Sequence, residues 1–173
     1  AYVLLMLIPA RGGLYAVRIF AALIAVILAW QTMRLADDLR LRNASLAGVF
    51  VIFQPLAFSL ASDTMTEIPM ALGLVLSLRC WLNQRWAASC LLMSVLPYFR
   101  PEGFFLALLW GLAILALPYT QAFPVWWKRF FIGSLLLTGT VCVIIVGFII
   151  SHDALFFWHE WPWQTGLTQP GSF

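Results

Sequence analysis

Charge is scarce in this sequence, and that scarcity excludes more than any motif does. Only 10% of the 173 residues are charged and 63% are hydrophobic, whereas a water-soluble domain carries charge on about a quarter of its residues. The composition therefore predicts an all-α, polytopic transmembrane bundle rather than a soluble domain. Ten basic and seven acidic residues leave a formal charge of +3, too few and too scattered for a nucleic-acid surface. Cysteine is limited to Cys80, Cys90 and Cys142. An odd number at wide spacing implies neither a disulfide framework nor a zinc site. A glycine-rich phosphate loop and a serine nucleophile elbow are both missing, which disfavours nucleotide-driven chemistry. The chain opens at Ala1 inside an apolar stretch, with no basic n-region or small-residue cleavage site. The expectation is a piece of a longer protein.

Apolar runs are abundant. About twenty residues span a bilayer as a helix, and the runs predict six spans, approximately 14–33, 44–61, 68–82, 87–99, 104–117 and 130–150, in one domain over 1–173 with an outer loop at 151–173. Arg18 lies near a helix end, where it can snorkel to the interface. Gln54-Pro55 predicts a kink in the second span. Six spans alternate the intervening segments between two faces. Arg34, Arg40, Arg42, Arg79, Arg85, Lys128 and Arg129 fall on one face, which the positive-inside rule makes cytoplasmic. Asp63, Glu67, Arg100, Glu102, His152, Asp153, His159 and Glu160 fall on the other. Asn43-Ala44-Ser45 fits a glycosylation sequon but lies on the cytoplasmic side, where modification is not expected.

The stretch Arg100-Pro101-Glu102-Gly103 interrupts the apolar run from Ala87 to Leu117. An ionised side chain at the bilayer centre costs about 2.5 to 3.5 kcal/mol or more, so such residues line cavities, pair, or lie at the rim. Proline removes a backbone donor and disfavours helix at the residue before it. The motif predicts a turn between two spans, with Arg100 recessed below the headgroups because about thirteen preceding residues cover only roughly 20 Å. The guanidinium offers a fork of donors suited to phosphate oxygens, here those of a lipid phosphate. Glu102 either fixes that fork or contacts a sugar hydroxyl. The plainer reading is a turn whose Arg100 and Glu102 simply pair or reach headgroups.

Two further constellations sit on the outer face. In Ser62-Asp63-Thr64-Met65-Thr66-Glu67-Ile68-Pro69, Asp63 and Glu67 share a face if a helix has begun. Either could orient an acceptor hydroxyl, take its proton, or hold a divalent cation beside a phosphate, although two acids alone do not make a metal site. The alternative is capping: Asp63, Thr64 or Thr66 as N-cap, Thr64 and Glu67 as a capping box, and Pro69 in the first turn. Beyond residue 150, Trp158, Trp161 and Trp163 interleave with His159 and Glu160. They form either a sugar-stacking wall or an interfacial aromatic belt. His159-Glu160 lacks the second histidine of a zinc-protease helix, so metal hydrolysis is not expected.

In pattern and order, Ala16-Val17-Arg18-Ile19-Phe20, the segment from Ser62 to Pro69, the corner at Arg100-Pro101-Glu102-Gly103 and the aromatic segment with Trp161-Pro162 together resemble the GT-C superfamily of polytopic glycosyltransferases. Their relatives include the aminoarabinose and protein O-mannosyl transferases. The resemblance implies transfer of a sugar from a polyprenyl-phosphate donor to a glycan, lipid or protein acceptor. The active face would be the outer side of a bacterial or archaeal cytoplasmic membrane or, equivalently, a lumenal face, and a divalent cation is compatible with the chemistry but not indicated. It places Asp63, Glu67, Arg100 and Glu102 around the donor and acceptor cavity. In the family the catalytic acid lies in the first outer loop, upstream of residue 1 here, so the base is unassigned. Two other classes compete: a secondary transporter broken at Gln54-Pro55 and Pro97 to Gly103, and a non-catalytic assembly subunit in which Arg100 and Glu102 pair.

Overall fold

The computed structural model describes residues 9, 11–54, 66–100, 102–116 and 126–152. The described residues are helical, with no strand among them. We number the helices α1 (Gly13–Asp38), α2 (Ala44–Phe53), α3 (Glu67–Leu82), α4 (Trp86–Val95), α5 (Glu102–Ala116), α6 (Trp126–Ser134) and α7 (Thr138–Ser151). Short 3₁₀ turns occupy Leu96–Tyr98 and Leu135–Leu137. The chain divides into two compact units, Ala1–Leu136 and Leu137–Phe173. The described part of the second is residues 137–152, chiefly α7, which is followed by His152 in a left-handed conformation with its amide donating to Phe148 O.

Within the first unit α1 packs on α2 and α3, α3 on α4, and α5 on α4 and the intervening 3₁₀ turn. α6 packs on α5 and α4. Ile24 and Leu28 of α1 meet Ile68 of α3, with Phe20, Val51, Leu72 and Val75 around them. Cys90, Met93, Leu96 and Ile114 are also inaccessible or nearly so. Two glycines make room for Leu96. A β-carbon at Gly73 would lie 2.4 Å from Leu96 Cδ2, and one at Gly103 would lie 2.6 Å from the Leu96 carbonyl and from Pro97 N.

A buried polar chain ties α3, α4 and α5 together. Trp110 Nε1 donates to Ser89 Oγ at 3.0 Å, Ser89 Oγ donates to Ser77 O at 2.9 Å, and Ser77 Oγ donates to Gly73 O at 2.8 Å. Each group would be costly to leave unsatisfied in an apolar interior. Trp81 stands edge-on to both Trp86 and Trp110, at centroid distances of 4.8 and 5.1 Å, a favoured aromatic geometry.

Several boundaries differ from the sequence expectation. The polar segment from Arg34 does not end α1, which runs on to Asp38. Arg79 explains the extension: its Nε donates to Asp38 Oδ2 at 2.8 Å, and its Nη1 to Gln31 Oε1. The helix then closes with Arg40 at φ 57° and Leu41 N donating to Ala36 O. This six-to-one bond satisfies an otherwise orphan carbonyl. α3 closes likewise, with Gln84 at φ 58° and Arg85 N donating to Cys80 O. Lys128 and Arg129, expected in a loop, lie in α6. The predicted 130–150 span is not one uniform α-helix, because Leu135–Leu137 is 3₁₀.

Two helical stretches, Tyr15–Asp38 and Trp127–Val146, are long and apolar enough to cross a membrane. The apolar segments Ala44–Phe53, Trp86–Tyr98 and Glu102–Ala116 are shorter. Much of the apolar surface is uncovered: Phe105, Leu108 and Leu109 of α5 are each more than 60% exposed.

Candidate functional site

The direction of the helices separates the charged groups. The pair Asp38–Arg79 joins the C-terminal ends of α1 and α3. At the other end of α3, Glu67 meets Arg100, which lies just before α5. Sixteen residues of helix lie from one end of α3 to the other, about 24 Å at the usual rise.

Glu67 opens α3, where a carboxylate is favoured by the helix dipole. Thr66 precedes it with no side-chain capping bond. The Glu67 side chain turns instead to Arg100, whose Nη1 donates to Glu67 Oε1. Glu67 Oε2 is buried with no hydrogen-bond partner among the described residues. Thr64, the partner expected for a capping box with Glu67, lies outside the described residues.

The rest of the Arg100 fork faces Glu102. Nε donates to Glu102 Oε2 at 3.2 Å and Nη2 to Oε1 at 3.1 Å, a two-pronged contact. Glu102 is the more open partner, its side chain 57% exposed against 30% for Glu67 and 35% for Arg100. Backbone hydrogen bonding at Glu102 and the adjoining Arg100 guanidinium hold the Glu102 carboxyl below its ordinary range. The corner is set by backbone bonds: Phe99 N and Arg100 N both donate to Leu96 O, and Gly103 N donates to Arg100 O.

These three charges flank an open groove of about 360 Å³, lined also by Met70, Ala71 and Leu74. Glu67, Met70, Ala71 and Leu74 follow the i, i+3, i+4, i+7 spacing of one helix face. That stripe is present in the sequence, where only its acid carries a chemical signal. Charged groups thus cap one end of a groove whose other lining is apolar.

Glu67, Arg100 and Glu102 are brought together. The remaining expected site residues, Asp63, Trp158, His159, Glu160, Trp161 and Trp163, lie outside the described residues. His152 is described at the end of α7, its ring edge-on to Phe148. No group of three His, Cys, Asp or Glu side chains among the described residues is placed to hold a metal ion.

No family model, curated protein or solved structure matches the chain.

Proposed function

We propose that this chain is part of a membrane-embedded glycosyltransferase that uses a polyprenyl-phosphate sugar at the extracytoplasmic face. The observation that carries the reading is the groove at Glu67, Arg100 and Glu102, with charge at one end and Met70, Ala71 and Leu74 along its side. A lipid phosphate has the same division: an anionic, hydroxyl-rich head and an apolar tail. α5, apolar along its length after Glu102 and leaving large side chains uncovered, supports a lipid setting.

In this reading Glu67 fixes Nη1 while Nε and Nη2 remain directed outward. A phosphate oxygen pair takes the position of the Glu102 carboxylate on that fork, and Glu102 turns to the sugar hydroxyls. When the anomeric bond to the phosphate oxygen breaks, Arg100 stabilises the charge developing on the leaving phosphate. The incoming acceptor oxygen forms the new bond to the anomeric carbon, and its proton passes to a base outside the described residues.

The test is transfer of labelled sugar from a panel of polyprenyl-phosphate donors by the full-length protein in membranes. The reading expects transfer by the wild type and its loss in Arg100→Ala at equal expression. Full transfer by Arg100→Ala, correctly folded, would refute the assigned role. The location of the charges at a helix end supports an enzyme over a transporter, whose coupling sites lie at mid-membrane.

A further inference from the structure

A second groove, of about 450 Å³, opens between the α3–α4 turn and α6, lined by Gln84, Arg85, Trp86, Ala87, Ala88 and Ile132. We propose that it binds the anionic headgroup of a phospholipid. The inference rests on the membrane reading above, but not on the sugar-transfer chemistry.

The groove lies at the end of the bundle opposite Arg100. α4 begins there and α5 ends there, since Arg129 of α6 is buried and donates from Nη1 to Leu115 O near the end of α5. Basic residues gather at this end, but they are not equivalent. Arg79 is paired with Asp38 and Arg129 is turned inward. Arg85 and Lys128 are exposed, and among the described residues neither has a carboxylate partner.

Arg85 lines the groove directly. Lys128 precedes Ile132 by four residues, so the two share a face of α6. Lys128 lies one turn nearer the start of α6, at the basic end, and Ile132 lies deeper. Cations at the mouth with apolar side chains below match a phosphodiester above its acyl chains. Trp86 adds a rigid wall, held edge-on by Trp81 at 4.8 Å, and its indole suits the headgroup level. Basic pockets between helices on the cytoplasmic side take lipid headgroups in this way.

The experiment uses the full-length protein in detergent, mixed with equal amounts of phosphatidylglycerol and phosphatidylcholine and read by native mass spectrometry. We expect phosphatidylglycerol to be retained preferentially. Arg85→Gln and Lys128→Gln should each lower that preference by about fivefold, the effect of roughly one surface cation. Arg42→Gln, also basic but outside both the α3–α4 turn and α6 that form the groove, should leave it unchanged. Equal retention of the two lipids, or a preference unaffected by Arg85→Gln, would overturn the proposal. So would full displacement of phosphatidylglycerol by inorganic phosphate, which would identify a free-anion site. Alkaline carbonate extraction separates the two failures. A protein released by carbonate refutes the membrane reading as well, whereas one that resists extraction but shows no headgroup preference refutes only the lipid site.

Discussion

Arg100 donates to Glu67 across 33 residues of sequence, joining the first turn of α3 to the corner before α5. This contact joins two features distant in sequence, a carboxylate at a helix start and an arginine beside a proline, into one site. Its partners are unequal. Glu67 is the more enclosed and has one buried oxygen without a hydrogen-bond partner among the described residues, while Glu102 stands open.

That inequality predicts an order of stability effects. Arg100→Ala strands the Glu67 carboxylate against a buried wall and should destabilise the detergent-solubilised protein by about 1 to 3 kcal/mol. Glu102→Ala removes an exposed partner and should leave the melting temperature nearly unchanged at neutral pH. Thermal unfolding of both variants beside wild type checks the order.

Acid should act on the pair through Glu102. Its folded carboxyl titrates below its ordinary range, through its backbone hydrogen bond first and the Arg100 contact second, so these interactions contribute fully above the unfolded value, about 4.3. The contribution is lost as pH falls through the lower folded value. Any difference in melting temperature between wild type and Glu102→Gln should therefore be present at neutral pH and vanish in strong acid. The comparison is a pair of melting curves taken across an acid pH series.

Gly103→Ala should disturb the corner more than its small size suggests. The added β-carbon would meet Leu96 and Pro97 backbone atoms at 2.6 Å, and backbone cannot move aside as a flexible side chain can. A cost of about 1 to 3 kcal/mol is expected for such overpacking. Thermal unfolding reads the cost, and any sugar-transfer activity should fall with it because the same turn positions Arg100.

Ser89→Ala tests the buried polar chain. It leaves Trp110 Nε1 without its acceptor at 3.0 Å, and a loss of about 1 to 3 kcal/mol is expected. Trp110→Phe removes the stranded donor, so the double variant should lose less than the sum of the two single variants. A double-mutant cycle on unfolding free energies measures this directly.

The helical class was legible because apolar residues fill long runs and charge is confined to short segments. The corner at Arg100 was legible because Pro101 breaks the run beside two opposite charges. The Glu67–Arg100 contact was not legible, since it depends on how α3, α4 and the 3₁₀ turn at Leu96 fold back on one another. Nor was the extension of α1 to Asp38, whose partner Arg79 lies 41 residues away. Leu135–Leu137 gives no local signal for 3₁₀ geometry, since three leucines equally suit an α-helix. The contribution of Met70, Ala71 and Leu74 to the groove follows a helical stripe from Glu67, a pattern present in the sequence but without meaning until the groove is seen.

The most direct test of the central claim is single-turnover sugar transfer from a polyprenyl-phosphate donor by the full-length protein, with Arg100→Lys and Glu67→Gln measured beside wild type at matched expression. Lysine keeps the charge but loses the fork. The proposed role predicts transfer by wild type and a fall of about 100-fold in Arg100→Lys, on the scale of losing one transition-state donor. It also predicts a smaller fall in Glu67→Gln, which retains a hydrogen-bond acceptor for Nη1. Wild-type transfer rates in Arg100→Lys, or no transfer by the wild type from any such donor, would contradict it.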